Sequence, residues 1–365
     1  MVNWQRIWND DGSGILLRPV KAIAYALSLF YHLVINLRNR LYDAGIFPAV
    51  KLPCPVISVG NITVGGTGKT PTVIMLARQL SEKGWKPAIL SRGYGGSSSH
   101  SVNVVADGKK ILLSAKTAGD EPLLIAETLK DIPVLTGTSR IATGRAAVEK
   151  YGANVLLCDD AFQHRRIYRD INLVLLDSAA PLGNGYLLPR GSLREPSAAL
   201  KRADALILTR VEENVPADNE IVKLAQINQT PLFRGRHVAR EVIRREREMS
   251  LPLTYLAGKK VCAFCGIAQP QSFKKMIGAA GAQIASLDIF PDHHRYEINE
   301  LEGIINKFTE SGADFILTTE KDGARLTDFP EFLKPIYLLR IAMEIIPDSR
   351  LWDDFIEELL KNRTV

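Results

Sequence analysis

The chain has 365 residues, of which 46% are hydrophobic and 24% are charged, so it can form one large or two ordinary globular domains. Its formal net charge of +6 is too small to indicate a nucleic-acid partner, although it suits an anionic surface or a phosphorylated substrate. Four cysteines in so long a chain do not indicate a secreted disulfide framework. Cys262 and Cys265 form a C-x-x-C, but they lie in an apolar run typical of a buried strand, without two further zinc ligands nearby.

An apolar segment near the start of the chain is predicted to form an amphipathic helix. Pro19 suits its first turn and Gly45 suits its exit. The 16 mostly apolar residues between Lys21 and Arg38 are fewer than the roughly 20 that a membrane-spanning helix needs. Because basic residues flank both ends, the helix could lie in the interface of an anionic membrane. It could equally pack on the core of a domain, and the segment alone leaves both alternatives open.

Downstream of Gly45, apolar strands and amphipathic helices alternate in the manner of a doubly wound α/β domain. A hairpin that turns at Asp107-Gly108 is predicted over 102–113. In such a sheet, ligands bind at the carboxyl ends of the strands. Strands are predicted at 55–60, 86–91, 133–136, 154–160, 171–177 and 204–210, and helices at 69–84, 120–129 and 139–152.

An arginine-rich stretch that begins at Arg234 interrupts this alternation and has no helical stripe. Its partial alternation predicts a β-ribbon between two lobes, and its charge is typical of a solvated face because no aromatic residues are interleaved. Beyond it, strands are predicted near 260–265, 284–289, 313–318 and 335–340, with a final amphipathic helix at 348–362. The predicted domains are an N-terminal helical segment at 1–45, a first domain at 46–233, the ribbon at 234–258 and a second α/β lobe at 259–365, whose last helix could pack on the first domain.

The stretch between the first strand and its helix is rich in glycine and ends in Lys69-Thr70. A strand, a glycine loop and a helix in this order form the setting of a P-loop, in which backbone amides surround phosphate oxygens at a helix N-terminus. Lys69 would bring a positive charge to the outer phosphates, and Thr70 a hydroxyl to Mg²⁺. Thr63 stands where the strict P-loop pattern has glycine. The predicted nucleotide-binding residues are Thr63, Val64, Gly65, Gly66, Thr67, Gly68, Lys69 and Thr70.

A carboxylate for the metal ion is expected at the end of a neighbouring strand. The apolar run 155–158 ends in Asp159 and Asp160, which are predicted, together with Thr70, to be the metal ligands. Asp160 and His164 are predicted to face the same crevice. Two adjacent acids at a strand end are also a common turn signal, so this pair indicates a metal site only in combination with the P-loop.

Further polar clusters follow other predicted strands. Arg92 and Tyr94 lie in a glycine-containing loop, and Asp120 begins a helix, where an acid is also an ordinary cap. Asp292, His293, His294 and Arg295 are adjacent in the second lobe, where they could also be the polar entry of a helix. The T-E-K-D stretch at 319–322 differs from the N-K-x-D guanine motif of GTPases in its spacing, which argues against guanine.

Together these pieces resemble the tetraacyldisaccharide 4'-kinase family, the lipid A 4'-kinases of Gram-negative bacteria, over most of the chain. Several of the strings, D-D-x-F-Q-H-R above all, are specific to that family. The strings that carry the resemblance are G-N-x-x-x-G-G-x-G-K-T-P at 60–71, S-R-G-Y-G at 91–95, G-D-E-P at 119–122, D-D-x-F-Q-H-R at 159–165, L-L-P-R-G-x-L-R-E-P at 187–196, D-H-H at 292–294 and T-E-K-D at 319–322.

The resemblance implies transfer of the ATP γ-phosphoryl group, with Mg²⁺, to the 4'-hydroxyl of an acylated glucosamine disaccharide 1-phosphate. It implies an α/β/α domain of the P-loop NTPase type and a smaller α/β/α lobe, joined by a β-ribbon. It makes Asp120, in the G-D-E-P motif, the catalytic carboxylate that would accept the hydroxyl proton. It makes His293, with His294 as the alternative, the partner that orients or charge-balances Asp120 when the lobes close. Lys69 is the third residue expected to act in catalysis.

The resemblance also sets expectations for the substrate and the location. A monomer with no nucleic-acid partner is expected, held at the cytoplasmic face of the bacterial inner membrane by its N-terminal helix. The residues expected to contact the substrate or to support those that do are Arg92, Tyr94, His164 and Glu195. Candidates to bind the substrate 1-phosphate are Arg92, Arg140, Arg190 and Arg194.

Two other functional classes fit parts of the sequence. A P-loop GTPase or metallochaperone would need a guanine motif and exposed metal ligands, which 319–322 and the cysteines supply poorly. A kinase of a soluble metabolite would share the P-loop but would not need a membrane. Activity that depends on detergent or a bilayer would separate the lipid kinase from both.

Overall fold

The computed structural model describes Trp8 and residues 17–212, 219–247, 249–327, 329–347 and 349–363. The strands are β1 (Val56–Asn61), β2 (Pro87–Ser91), β3 (Asn103–Asp107), β4 (Pro133–Thr136), β5 (Val155–Asp159), β6 (Ile171–Asp177), β7 (Ala205–Thr209), β8 (Leu232–Arg244), β9 (Met249–Pro252), β10 (Lys260–Cys265), β11 (Gln283–Ile289), β12 (Phe315–Thr319) and β13 (Ile336–Ile346). The α-helices are α1 (Leu17–Asp43), α2 (Lys69–Glu82), α3 (Ala115–Ala118), α4 (Asp120–Thr128), α5 (Arg140–Tyr151), α6 (Asn219–Ile227), α7 (Pro270–Ala279), α8 (Ile298–Ser311), α9 (Glu320–Ala324) and α10 (Ser349–Arg363).

The chain forms two compact units, and neither is contiguous in sequence. The first consists of Met1–Arg92, Ser139–Arg236 and Glu344–Val365, and the second of Gly93–Thr138 and His237–Met343. The sequence predicted contiguous lobes instead, with 93–138 inside the first domain. This segment groups with the second unit because its helix α4 is held there by ion pairs at both ends, Asp120 with Arg325 and Glu127 with Arg245.

The first unit is built around a parallel sheet in the order β8-β7-β6-β1-β5-β2. Every residue of β1, β2, β5 and β7 is buried, which is why these strands read as continuous apolar runs. Strand β1 lies between β5 and β6, so the loop after β1 opens at the carboxyl edge of the sheet, where ligands bind in folds of this type.

The last helix, α10, belongs to the first unit. Trp352 of this helix is fully buried and donates its indole N–H to Oε1 of Gln79 on α2, at 3.1 Å. Lys83, directly after α2, pairs with Glu357 at 3.0 Å. The chain thus returns to the first unit after completing the second, which is the alternative that the sequence left open for this helix.

Helix α1 is continuous for 27 residues, about 40 Å at 1.5 Å per residue. By length and composition it is long and apolar enough to cross a membrane, and it is the one such helix in the described part of the chain. The helix extends beyond the 16 mostly apolar residues between Lys21 and Arg38, because it also includes the charged residues that flank them. One face is buried through Ala24, Ser28 and Ile35. The other face carries a stripe of exposed apolar side chains, formed by Ile23, Leu27, Phe30, Leu33, Val34 and Leu37.

The second unit contains a parallel sheet in the order β11-β10-β12-β13. The arginine-rich stretch forms a two-stranded antiparallel ribbon, in which the end of β8 pairs with β9. Strand β3 pairs antiparallel with β4. The chain also turns back at Asp107-Gly108, as predicted, but the returning segment forms a single bridge, from Ala106 to Ile111, rather than a second strand. Cys262 and Cys265 on β10 are buried free thiols. Among the described residues, no group of three or more histidine, cysteine, aspartate or glutamate side chains could hold a metal ion.

Candidate active-site residues

The glycine loop lies between β1 and α2, as the sequence predicted. Gly65 and Gly68 have φ angles of 119° and 86°, which residues with a Cβ atom rarely adopt. The amide of Val64 donates to the carbonyl oxygen of Ser192 at 2.8 Å. This amide is therefore already used, and we expect phosphate-binding amides from Gly65 onward. Val64 therefore lies in the predicted ATP-binding loop, but its amide is not available to bind a phosphate.

The start of the same loop is held by the segment 192–194. Thr63 forms a bridge with Leu193, and the amide of Arg194 donates to the carbonyl oxygen of Ile62 at 2.7 Å. At the other end of the loop, the hydroxyl of Thr72 donates to the carbonyl oxygen of Gly68 at 2.9 Å. The loop is thus fixed at both ends by hydrogen bonds, and its glycines shape the turn between them.

Asp160 follows β5 and lies beside two cations. Its Oδ1 atom is 3.6 Å from Nζ of Lys69, and Nη1 of Arg194 is 3.1 Å from both carboxylate oxygens. Burial alone would raise the pKa of Asp160, but Lys69 and Arg194 outweigh it and lower the pKa. Its φ of 47° is unusual for a residue other than glycine, a type of strain that is frequent at functional sites.

Asp159 ends β5, in register with Val59 of β1, and is therefore at the sheet edge where the glycine loop begins. The guanidinium of the buried Arg140 donates to the backbone carbonyl of Asp159, which fixes this strand end. A carboxylate here and the Thr70 hydroxyl at the start of α2 are hard oxygen donors, the type that Mg²⁺ prefers. The residue types and the register thus fit a magnesium ion. Because Arg140 is used internally, it is a poor candidate for the substrate 1-phosphate.

Glu195 is fully buried and is held by two segments of the first unit, helix α1 and the segment that contains Arg202. Its carboxylate accepts hydrogen bonds from Arg202 at 2.7 Å and from Asn39 of α1 at 2.8 Å. The hydroxyl of Tyr31, also on α1, donates to the carbonyl oxygen of Arg194 at 2.9 Å. Glu195 therefore connects α1 to the segment that holds the glycine loop. Of its two predicted roles, the supporting one fits this geometry.

His164 is half-buried close to several arginines. Burial, followed by the charges of Arg140 and Arg169, lowers its pKa from 6.5 to about 4, so the imidazole is neutral at pH 7. The neighbouring Gln163 donates to the carbonyl oxygen of Asn61 at 2.8 Å, which connects this segment to the end of β1. Arg92, by contrast, is exposed at the end of β2.

In the second unit, Asp120 is the first residue of α4. Its Oδ2 atom accepts a hydrogen bond from Nε of Arg325 at 2.7 Å. The family resemblance implied a histidine as the partner of Asp120, and Arg325 was not among the predicted site residues. The sequence feature that could have identified Arg325 is its position three residues after the T-E-K-D motif. Only the fold shows that this position brings Arg325 to Asp120.

His293 has a φ of 61° and lies next to two cations. Its Nδ1 atom is 3.3 Å from Nη2 of Arg325, and its Nε2 atom is 3.2 Å from Nζ of Lys321. The ring of Tyr94 meets the imidazole edge-on, with 6.4 Å between ring centroids. Arg325 thus contacts both Asp120 and His293.

His294 has a different environment. Its Nε2 atom lies 2.8 Å from the carboxylate of Glu300, and its ring stacks on Phe290 with 4.8 Å between centroids. Glu300 also accepts from the backbone amide of Glu297 in the capping box that begins α8. His294 therefore supports a helix entry, which leaves His293 as the better candidate for the partner of Asp120.

Two features exclude the GTPase and metallochaperone readings for the described residues. Asp322 of the T-E-K-D stretch is fully buried and accepts hydrogen bonds from Gly266 and Tyr296, so it cannot read a guanine base. Cys262 and Cys265 are buried, and within the described ranges no further histidine, cysteine or acid joins them to form a metal-binding group.

The parallel sheet, the glycine loop that enters α2 and the acids that follow β5 define a P-loop nucleotide-binding protein. The model of the family described as tetraacyldisaccharide-1-P 4'-kinase matches residues 20–361. The tetraacyldisaccharide 4'-kinase of Syntrophus aciditrophicus is 44% identical over 98% of each chain. That of Pelobacter propionicus is 38% identical, also over 98% of each chain.

A solved structure agrees with these matches. The crystal structure of LpxK from Aquifex aeolicus in complex with ATP has a TM-score of 0.76 and 32% identity, and covers 93% of this chain and 99% of that chain. The chain described here belongs to the tetraacyldisaccharide-1-P 4'-kinase family. The family and the α/β fold expected from the sequence are thereby confirmed.

Proposed function

We propose that this chain transfers the γ-phosphoryl group of ATP to the 4'-hydroxyl of a tetraacyldisaccharide 1-phosphate. The observation that carries the proposal is the glycine loop with Lys69 and Thr70, placed at the carboxyl edge of the sheet in a chain that matches this kinase family almost end to end. The substrate comes from the names of the relatives, and the loop supplies the means to bind its co-substrate.

The first unit binds the nucleotide. Amides from Gly65 onward and the N-terminus of α2 surround the phosphates, and Lys69 leaves Asp160 to contact the outer phosphate oxygens. Thr70 and Asp159 would hold the magnesium ion, with Asp160 close by. When bound, this ion neutralises charge on the phosphoryl oxygens that develops during transfer.

The second unit supplies the base. A sugar hydroxyl is a weak nucleophile, and Asp120 accepts its proton as the phosphoryl group is transferred. Arg325 occupies Oδ2, so Oδ1 is the oxygen that takes the proton. His293 contacts Arg325, and Tyr94 meets the His293 ring edge-on; both residues contact the sugar or orient the residues that do.

The protein acts as a monotopic membrane protein at the cytoplasmic face of the inner membrane. The exposed apolar stripe of α1 supports this, since an acylated substrate is presented in a membrane and an apolar helix face binds at its interface. Arg18, Lys21, Arg38 and Arg40 flank the stripe and favour anionic lipid headgroups.

The proposal is tested with purified protein, ATP, Mg²⁺ and the acylated disaccharide 1-phosphate in mixed micelles. We expect one phosphate to be added at the 4' position, and we expect Asp120→Asn to lower kcat by about 10²–10⁴-fold while ATP binds normally. The protein with its glycine loop disrupted by Lys69→Ala serves as the nucleotide-binding control. No phosphorylated lipid with the wild-type protein would refute the proposed function.

A further inference from the structure

Arg325 is a buried cation, and each of the three nitrogen atoms of its guanidinium contacts another group of the protein. Its side chain is 4% exposed. Nε donates to Oδ2 of Asp120 at 2.7 Å, and Nη1 donates to the carbonyl oxygen of Gly266 and to Oδ1 of Asp322, each at 3.1 Å. Nη2 lies 3.3 Å from Nδ1 of His293. A buried arginine with this many contacts has one orientation, since each lost contact would leave a buried polar atom unpaired.

Asp322 fixes Arg325 from behind. It is fully buried, and its carboxylate accepts hydrogen bonds from the Gly266 amide at 3.0 Å, the Tyr296 hydroxyl at 2.9 Å and the Thr319 hydroxyl at 2.7 Å. Burial, followed by the charge of Asp322, raises the pKa of Tyr296, so its hydroxyl remains a donor. The T-E-K-D stretch is therefore a scaffold for the arginine that follows it.

His293 is not the charged partner of Asp120. Burial, followed by the charge of Lys321, lowers the pKa of His293, and Arg325 acts in the same direction. Nδ1 faces Arg325 and Nε2 faces Lys321, side chains that can only donate hydrogen bonds, and a neutral imidazole can accept at only one of its nitrogens. Nε2 also lies 3.9 Å from Oδ2 of Asp292, whose charge raises the pKa of His293, but burial and Lys321 outweigh it. An imidazolium could accept at neither, so this environment disfavours the charged form.

We infer that Arg325 is the positioning residue for the base of this kinase: it fixes Asp120 through Oδ2 so that Oδ1 faces the sugar hydroxyl, and it fixes His293 alongside. This inference rests on the proposed function and adds to it the residue through which the T-E-K-D scaffold acts. Arg325 contacts protein groups and is not itself a catalytic residue.

Positioning of this kind acts on kcat. A carboxylate at the start of a helix can rotate about its side-chain bonds, and a single contact at Oδ2 with a rigid donor selects one rotamer. A displacement of about 1 Å at the reacting group can lower the rate of a reaction about 100-fold. Lysine at this position would keep the charge, but it lacks the fork that contacts Asp120, Asp322 and His293 together.

The test compares Arg325→Met and Arg325→Lys with a matched control, Arg245→Met. Arg245 is the other arginine that pairs with an acid of α4, since it contacts Glu127 near the end of the helix at 2.9 Å. We expect kcat to fall about 100-fold in Arg325→Met and about 10-fold in Arg325→Lys. We expect Arg245→Met to remain within about threefold of the wild type and ATP affinity to be unchanged in all three, because the proposed nucleotide-binding loop lies in the first unit.

A double-mutant cycle with Asp120→Asn then separates positioning from general support of the fold. If Arg325 acts through Asp120, Arg325→Met causes no further loss of kcat in the Asp120→Asn background. The inference is overturned if the two losses multiply, if Arg325→Met keeps wild-type kcat, or if Arg245→Met loses as much. Should Arg325→Met not fold, Arg325→Lys is used in the same cycle. A wild-type protein that does not phosphorylate the disaccharide is a different result and refutes the proposed function instead.

Discussion

Lys69 Nζ and Asp160 Oδ1 lie 3.6 Å apart, so the cation at the start of α2 is paired with the acid that follows β5. Arg194 contacts the same carboxylate at 3.1 Å, which places two cations around one anion. A triphosphate carries more charge than one carboxylate and would compete for Lys69. The pair therefore links nucleotide binding to the acid that stands next to the expected metal ligand Asp159.

Lys69→Ala is expected to weaken ATP binding by about 10–100-fold, because a hydrogen bond to a charged group contributes about 1.5–3 kcal/mol. Isothermal titration calorimetry with ATP and Mg²⁺, without lipid, measures the effect. The control is Lys83→Ala, which follows the far end of α2 and pairs with Glu357 at 3.0 Å. Equal ATP affinities for Lys69→Ala and the wild type would contradict the assignment of the loop.

Asp160→Asn is expected to change ATP affinity differently in the presence and in the absence of Mg²⁺. It removes a carboxylate near the metal site, so the gain in ATP affinity on adding Mg²⁺ should shrink. It also releases Lys69, so ATP affinity in the presence of EDTA should stay the same or increase. ATP titrations with Mg²⁺ and with EDTA distinguish the two effects. Equal losses under both conditions would mean that Asp160 supports the loop rather than the metal.

His164 is expected to make the folded protein sensitive to mild acid. The pKa of His164 is lowered from 6.5 to about 4 in the folded state, so between these values the unfolded chain binds more protons. The free energy of unfolding should therefore fall as the pH drops from about 6.5 to about 4. His164→Gln should reduce this fall, as measured by urea unfolding in micelles at several pH values. His293, whose pKa is also lowered, contributes with the same sign and remains in both proteins. Identical pH profiles for the two proteins would refute this role of His164.

Phe30→Glu with Leu33→Glu is expected to release the protein from membranes. These side chains of α1 are 67% and 69% exposed, so their exchange should leave the fold intact. Each contributes about 2 kcal/mol when fully buried in lipid, so partition into vesicles should weaken more than about 100-fold. Co-sedimentation with anionic vesicles measures it.

The matched control for α1 is Ile227→Glu, which changes an apolar side chain of α6 that is 77% exposed. Its co-sedimentation should equal that of the wild type. If the double variant still sediments with vesicles, the membrane contact of the protein lies outside α1.

Much of the fold could be predicted from the sequence because neighbouring sequence patterns indicated the same structure. The buried strands of the first unit are continuous apolar runs, and the change from strand to glycine loop to helix at 56–82 has one common structural meaning. The ATP-binding and metal-binding residues could be predicted for the same reason, since they lie within a few residues of those strand ends. Their roles remain predictions that the variants above test.

Contacts between distant segments could not be predicted. Arg325 and Asp120 are 205 residues apart in sequence, and neither residue's neighbours indicate the other. The sequence likewise gave no sign that Gly93–Thr138 leaves the first domain, since the local pattern of strand and helix is the same in both units. The preference for His293 over His294 rests on Glu300 and Phe290, both of which contact His294.

The sequence by itself determined the α/β class, the glycine loop, the acids after β5 and the kinase family, because each depends on residues that are adjacent in the chain. Only the tertiary structure decided which cation contacts Asp120, which of the two histidines contacts that cation, and how Glu195 connects α1 to the glycine loop. Such pairs form where burial excludes water, and a charge removed from water must find a partner wherever the fold places one.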